Sequence, residues 1–183
     1  MNLLNEYRIP FVGLKIGEHQ FSYEIDERFF NEFEYSLVKT GKIKVDLILN
    51  KLETMLILEF VGKGNIFLSC DRCVSDFPIE VNIKERQIVK FTGDENLEDN
   101  TDDIVLLGKN EHELDVAPLI YEYINLGVPY FNRCDEPGKT EWCDKDMLDK
   151  LEKLSNQLPE EEEEEQKSEA DPRWEALKKI NNT

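Results

Sequence analysis

Alternation of apolar and polar positions dominates residues 42–91. Ile43, Val45, Leu47 and Leu49 take every second place in Lys42–Asn50, which predicts a strand with one buried face. Thr54–Val61 is apolar almost throughout, as expected for a central strand. Gly62-Lys63-Gly64 then predicts a turn into a further strand, Asn65–Ser69. Phe77–Phe91 alternates again through Ile79, Val81 and Ile83. Successive runs of period two joined by short turns predict an antiparallel sheet.

The flanks read differently. Tyr7–Leu14 and Glu18–Ile25 are short extended candidates separated by Gly17. Asp26 reads as an N-cap, and Phe29, Phe30, Phe33 and Leu37 recur at helical spacing behind it. They predict a helix over Glu27–Val38 that Gly41 stops. Beyond the sheet lies an acidic loop, 92–103, and one more candidate strand, Ile104–Leu107. Asp115 caps a predicted helix with Pro118 in its first turn. Leu119, Ile120, Tyr123 and Ile124 form its apolar side, and Gly127 and Pro129 end it. Residues 130–143 are irregular. A further helix starts at Asp144 or Asp146, with Met147, Leu148, Leu151, Leu154 and Leu158 as its stripe. Glu160–Glu165 is a like-charge run that cannot bury itself, hence a solvated linker. Asp171 and Pro172 make a good start for a short tail helix reaching Ile180.

The expected fold is therefore α+β, an antiparallel sheet packed against the helices near 27–38 and 115–126. The expected organisation is a domain over 1–158, an acidic linker over 159–170 and a helical tail over 171–183.

Charge divides the chain. Residues 1–90 carry 12 Lys/Arg against 14 Asp/Glu, a net −2, while 91–183 carry 10 against 26, a net −16. Such acidity argues against non-specific binding to bare nucleic acid. It suits either a basic partner or simple solubility. Lys39, Lys42, Lys44 and Lys51 around the first long strand read as a solvated face. Tyr121, Tyr123, Tyr130 and Phe131 read as core before they read as base-stacking groups. The start of the sequence lacks a basic region followed by a long apolar run. No stretch approaches the roughly 20 apolar residues of a membrane span. A cytoplasmic setting with reduced thiols is the expectation.

Four cysteines carry the most specific chemistry. Cys70 and Cys73 form a Cys-x-x-Cys pair at the end of the apolar run Ile66–Leu68, and Cys134 and Cys143 form a second, wider pair. Four thiolates fit one tetrahedral zinc site, with the loop between Cys134 and Cys143 absorbing the long spacing. His112 or His19 could replace one thiol, and four scattered reduced cysteines are the plain alternative. A redox pair is less well supported, because a catalytic Cys-x-x-Cys normally opens a helix, whereas this one lies between strands. No nucleophile elbow or phosphate-cradling glycine loop is present, and Glu111-His112-Glu113 reads as surface. The tail residues Asp171, Pro172, Arg173, Trp174 and Leu177 either fold back on the domain or anchor a partner.

Several segments together resemble the YceD family, associated with accumulation of large-subunit ribosomal RNA. They are Leu68-Ser-Cys-Asp-Arg-Cys73, the acidic loop, Asp115-Val-Ala-Pro-Leu-Ile-Tyr-Glu122 with Val128-Pro129, and Asp171-Pro-Arg-Trp-Glu-Ala-Leu177. The resemblance implies a non-enzymatic role in ribosome biogenesis with no catalytic residues and no small-molecule substrate. The implied partners are a pre-ribosomal particle, a basic ribosomal protein or a ribosomal RNA complex, and no membrane. Cys70 and Cys73 match the first cysteine pair of that family, with Cys134 and Cys143 where its second group falls. The alternatives are a thiol-disulfide oxidoreductase and a zinc-stabilised interaction module unrelated to ribosomes.

Overall fold

The computed structural model describes residues 3–92, 104–108, 110–134 and 140–156. The chain divides into two units, Met1–Asp144 and Lys145–Thr183. The first unit holds a five-stranded sheet in the order β2 (Gly17–Ile25), β3 (Thr40–Lys51), β4 (Met55–Ser69), β5 (Asp76–Phe91) and β6 (Ile104–Leu107). A small second sheet pairs β1 (Arg8–Ile9) with β7 (Leu114–Asp115). Among the described residues the α-helices of this unit are α1 (Glu27–Asn31) and α2 (Ala117–Leu126). The architecture is α+β, as the pattern predicts.

Strands β2 to β5 pair antiparallel, while β6 joins β5 in parallel, with Ile88 opposite Ile104. Alternation sends Val45, Leu47, Leu49, Leu56, Leu58, Phe60, Val81 and Val89 to one face, where all are buried. Ile120 and Ile124 of α2 and Phe29 and Phe30 of α1 are buried as well. Each such side chain contributes about 1.5–3 kcal/mol through burial. Tyr123 links α2 to the sheet, its ring 5.1 Å from that of Phe60 and its hydroxyl donating to Gln87 Oε1 at 3.0 Å.

Local expectations are corrected at several points, and Tyr130 and Phe131, expected in the core, are exposed. Gly62-Lys63-Gly64 is not a turn: β4 runs unbroken from Met55 to Ser69, with Gly62 opposite Val45 and Gly64 opposite Ile43. A Cβ on Gly64 would lie 2.1 Å from the Lys42 carbonyl oxygen, so glycine here permits close backbone approach. The helix expected over Glu27–Val38 stops at Asn31. Leaving the helix buries Val38 and exposes Leu37, and lets Phe33 stack on Tyr121 at 4.0 Å. Of the extended stretch expected over Tyr7–Leu14 only β1 is strand: the 3-10 turn Leu3–Tyr7 runs into it and a second, Phe11–Gly13, follows it. Pro10 has no N–H to continue a ladder there. Lys51 leaves the solvated face and donates to the carbonyls of Phe11 at 2.7 Å and Leu14 at 2.8 Å.

Asp26 caps α1 as expected, its carboxylate accepting the Arg28 N–H at 2.9 Å. Val116 rather than Asp115 is the N-cap of α2, but Asp115 Oδ1 still accepts the Ala117 N–H at 3.0 Å. In the second unit, α3 (Lys145–Ser155) carries the predicted stripe through Met147, Leu148, Leu151 and Leu154. Residues 93–103 of the acidic loop, the linker 159–170 and the tail 171–183 lie outside the described residues.

Candidate metal centre

The hairpin between β4 and β5 turns through Cys70–Ser75. The Cys70 N–H donates to the Ser75 carbonyl at 2.9 Å, and the Val74 N–H donates to the Cys70 carbonyl at 3.0 Å. Val74 sits at φ 63°, in the left-handed region that a β-branched residue rarely enters. The turn is thus wound tighter than its sequence prefers, a form that persists where surrounding contacts over-determine it. The winding aims the Arg72 N–H at Cys70 Sγ, 3.4 Å away, and places Cys73 Sγ 3.4 Å from the Ser75 hydroxyl.

A second segment closes on this turn. The Asp71 N–H donates to the Asn132 carbonyl at 2.8 Å, and the Asp71 carboxylate accepts the Asn132 N–H at 2.7 Å. Two residues on, Cys134 reaches Cys73 with 3.3 Å between sulfurs. Cys70, Cys73 and Cys134 are all buried, with their three sulfurs within 4.8 Å of one another. Cys143 is half-buried and stands outside this three-sulfur cluster. Next to it, Trp142 rests edge-on against Phe67 of β4 at 6.2 Å. Neither His19 nor His112 joins the three-sulfur cluster: His19 Nε2 bonds the Lys15 carbonyl, and His112 lines a cavity with Phe11 and Phe91.

Burial alone would raise the Cys73 pKa. The Ser75 hydroxyl, the backbone N–H groups of Ser75 and Asp144, and the Cys134 thiol outweigh it and bring Cys73 down to about 6. Burial and the bonds to Cys73, Cys70 and Cys143 push Cys134 the opposite way. Burial likewise raises Cys143. One easily ionised thiol thus faces thiols that resist ionising beside it.

Residues 58–181 match the family described as the large ribosomal RNA subunit accumulation protein YceD. The chain belongs to the YceD family. No curated protein and no solved structure matches it. The matched region takes in all four cysteines and the tail from Asp171 to Leu177.

In this YceD-family chain the donor set fits a soft cation. Zinc bonds thiolate sulfur at about 2.3 Å, which puts the sulfurs of a tetrahedron roughly 3.8 Å apart. The three sulfurs, within 4.8 Å of one another and 3.3 Å apart at Cys73–Cys134, are close enough to share one ion. All three clustered donors are sulfur, a set that suits thiophilic metals over the hard cations. The backbone N–H groups aimed at Cys70 and Cys73 would stabilise bound thiolates.

Sequence reading found the cysteines and missed Asp71, Val74, Ser75 and Asn132. Asp71 stands inside the Cys-x-x-Cys pair and was available as a signal. The Asn132 contact uses only backbone atoms on its side and leaves no mark in residue type. The expected partner-binding residues Asp171, Pro172, Arg173, Trp174 and Leu177 lie outside the described residues.

Proposed function

We propose that this chain is a non-enzymatic accessory factor that supports accumulation of large-subunit ribosomal RNA. It would act in the cytoplasm through contacts with a pre-ribosomal particle or a basic ribosomal protein. The observation that carries the reading is the family match across residues 58–181. The net charge of −18 supports a basic protein partner over bare RNA. No helix among the described residues is long and apolar enough to cross a membrane.

Zinc held by Cys70, Cys73, Cys134 and Cys143 has a structural role in this reading. It would fix the irregular segment after α2 to the β4–β5 turn and so couple metal binding to folding. An oxidoreductase is less well supported. Cys70 and Cys73 follow a strand and are buried, whereas a reactive thiol is exposed and often opens a helix.

The test is the ratio of large- to small-subunit ribosomal RNA in cells with and without the chain. A selective fall in the large-subunit RNA, restored by the intact gene, is the expected result. An unchanged ratio under growth-limiting conditions would remove the reading.

A further inference from the structure

Three large apolar side chains that the sheet core does not use meet on one surface of the first unit. Tyr35, Leu37 and Leu126 are 85%, 74% and 76% exposed. With Tyr121, Glu122 and Asn125 they line a groove of about 530 Å³. Exposed apolar residues are ordinary one at a time; several lining one concavity mark a contact surface.

The groove is preformed. One wall is the segment Glu32–Leu37 that leaves α1, and the other is the outward side of α2. Phe33 clamps them together by stacking on Tyr121, with ring centroids 4.0 Å apart and planes 7° from parallel. Behind Phe33 lies Phe29, fully buried, at 5.2 Å between centroids. A partner would meet walls already in place, which lowers the entropy cost of docking.

Charge selects the partner. Glu122 lines the groove, Glu32 and Glu34 are exposed on the segment that brings Tyr35 and Leu37 to it, and neither Glu32–Leu37 nor α2 contains a basic residue. The neighbouring cations in sequence are Arg28, bonded to Asp26 at 2.7 Å, and Lys39, beyond the end of the wall. Carboxylates in and beside the groove, with no cation on either wall, disfavour phosphate and so argue against a platform for RNA. They attract ammonium and guanidinium groups on either side of an apolar anchor.

We propose that this groove docks a lysine- or arginine-rich protein segment that inserts an apolar side chain between Tyr35, Leu37 and Leu126. The inference deepens the ribosomal reading and rests on it for the source of the basic segment. The chemistry of the groove itself does not depend on that source.

The test places a photo-crosslinking residue at Tyr35 of the full chain, with a control at Asn82 on the exposed sheet face. The probe is the mixture of proteins extracted from purified large ribosomal subunits. The expected result is a crosslink to basic protein from position 35 and not from position 82. Leu126→Asp and Glu122→Lys, both on exposed positions, should each lower its yield about tenfold while the circular dichroism stays unchanged. Equal yields from both positions, indifference to Leu126→Asp, or a crosslink to RNA, to a second copy or within the chain would overturn the proposal. The ribosomal RNA ratio separates the two readings. If it falls on loss of the chain while position 35 gives no crosslink, the groove assignment fails and the ribosomal role stands. A groove-dependent crosslink with an unchanged ratio reverses that outcome.

Discussion

Asp71 and Asn132 hold each other through two reciprocal hydrogen bonds, N–H to carbonyl at 2.8 Å and carboxylate to N–H at 2.7 Å. They join the β4–β5 turn to the segment carrying Cys134, across 61 residues of sequence. Both bonds use the backbone of Asn132, but one needs the side chain of Asp71. Asp71→Ala should therefore cost about 1–2 kcal/mol and loosen metal retention. Asn132→Ala, which keeps both bonds, should cost less. Paired urea denaturation curves check this, and equal losses would mean that the Asp71 carboxylate does not secure the loop.

Metal content gives the second prediction. Protein purified without chelator should carry about one zinc per chain, the ratio of a single four-thiolate site. Cys134→Ser should release it and lower stability by about 2–4 kcal/mol, or roughly 4–16 °C in Tm. Cys143→Ser should be milder, because Cys143 is half-buried and the other three are buried. Elemental analysis with thermal melts decides the matter: a metal-free wild type whose Tm ignores chelator would exclude the site.

The strands of the first unit were legible because period two is imposed by burial on one face, and Lys42–Asn50 and Phe77–Phe91 obey it closely. Cys70, Cys73 and Cys134 were legible as candidate donors because thiol chemistry is specific and cysteines are rare here, whereas their clustering without Cys143 was not. What escaped was set by contacts distant in sequence. Phe29, Phe30, Phe33 and Leu37 look helical, but the stack of Phe33 on Tyr121, 88 positions later by number, draws the chain out of the helix. Gly62 and Gly64 look like a turn because glycine marks both turns and close strand approach. Only the neighbouring strand distinguishes the two.

That distinction is testable at Gly64. A Cβ there would meet the Lys42 carbonyl oxygen at 2.1 Å and Ile43 Cα at 2.5 Å, both backbone atoms that cannot swing aside. Gly64→Ala should destabilise the fold by about 3 kcal/mol or more. Gly13→Ala, where nothing lies within 4 Å, should stay within about 1 kcal/mol of wild type. If position 64 were a turn, the two substitutions would have similar costs in a denaturation series.

Alkaline pH should unfold the protein through Tyr7 and Tyr23. Their rings stack at 5.1 Å, and both are buried. Desolvation is the main cause that raises both phenols, with the Glu6 carboxylate adding to it, and Tyr23 is pushed up to about 12. The unfolded chain ionises its tyrosines near pH 10. The folded state thus holds these protons more tightly than the unfolded state does. Their contribution is complete below about pH 10 and is lost as pH rises from there toward the folded value. Tm should fall over this range. Tyr7→Phe, which keeps the ring and removes the ionisable hydroxyl, should flatten the fall while changing Tm little at neutral pH. The check is Tm against pH for both proteins, read beside phenolate absorbance; parallel curves would show that the stacked pair does not govern alkaline stability.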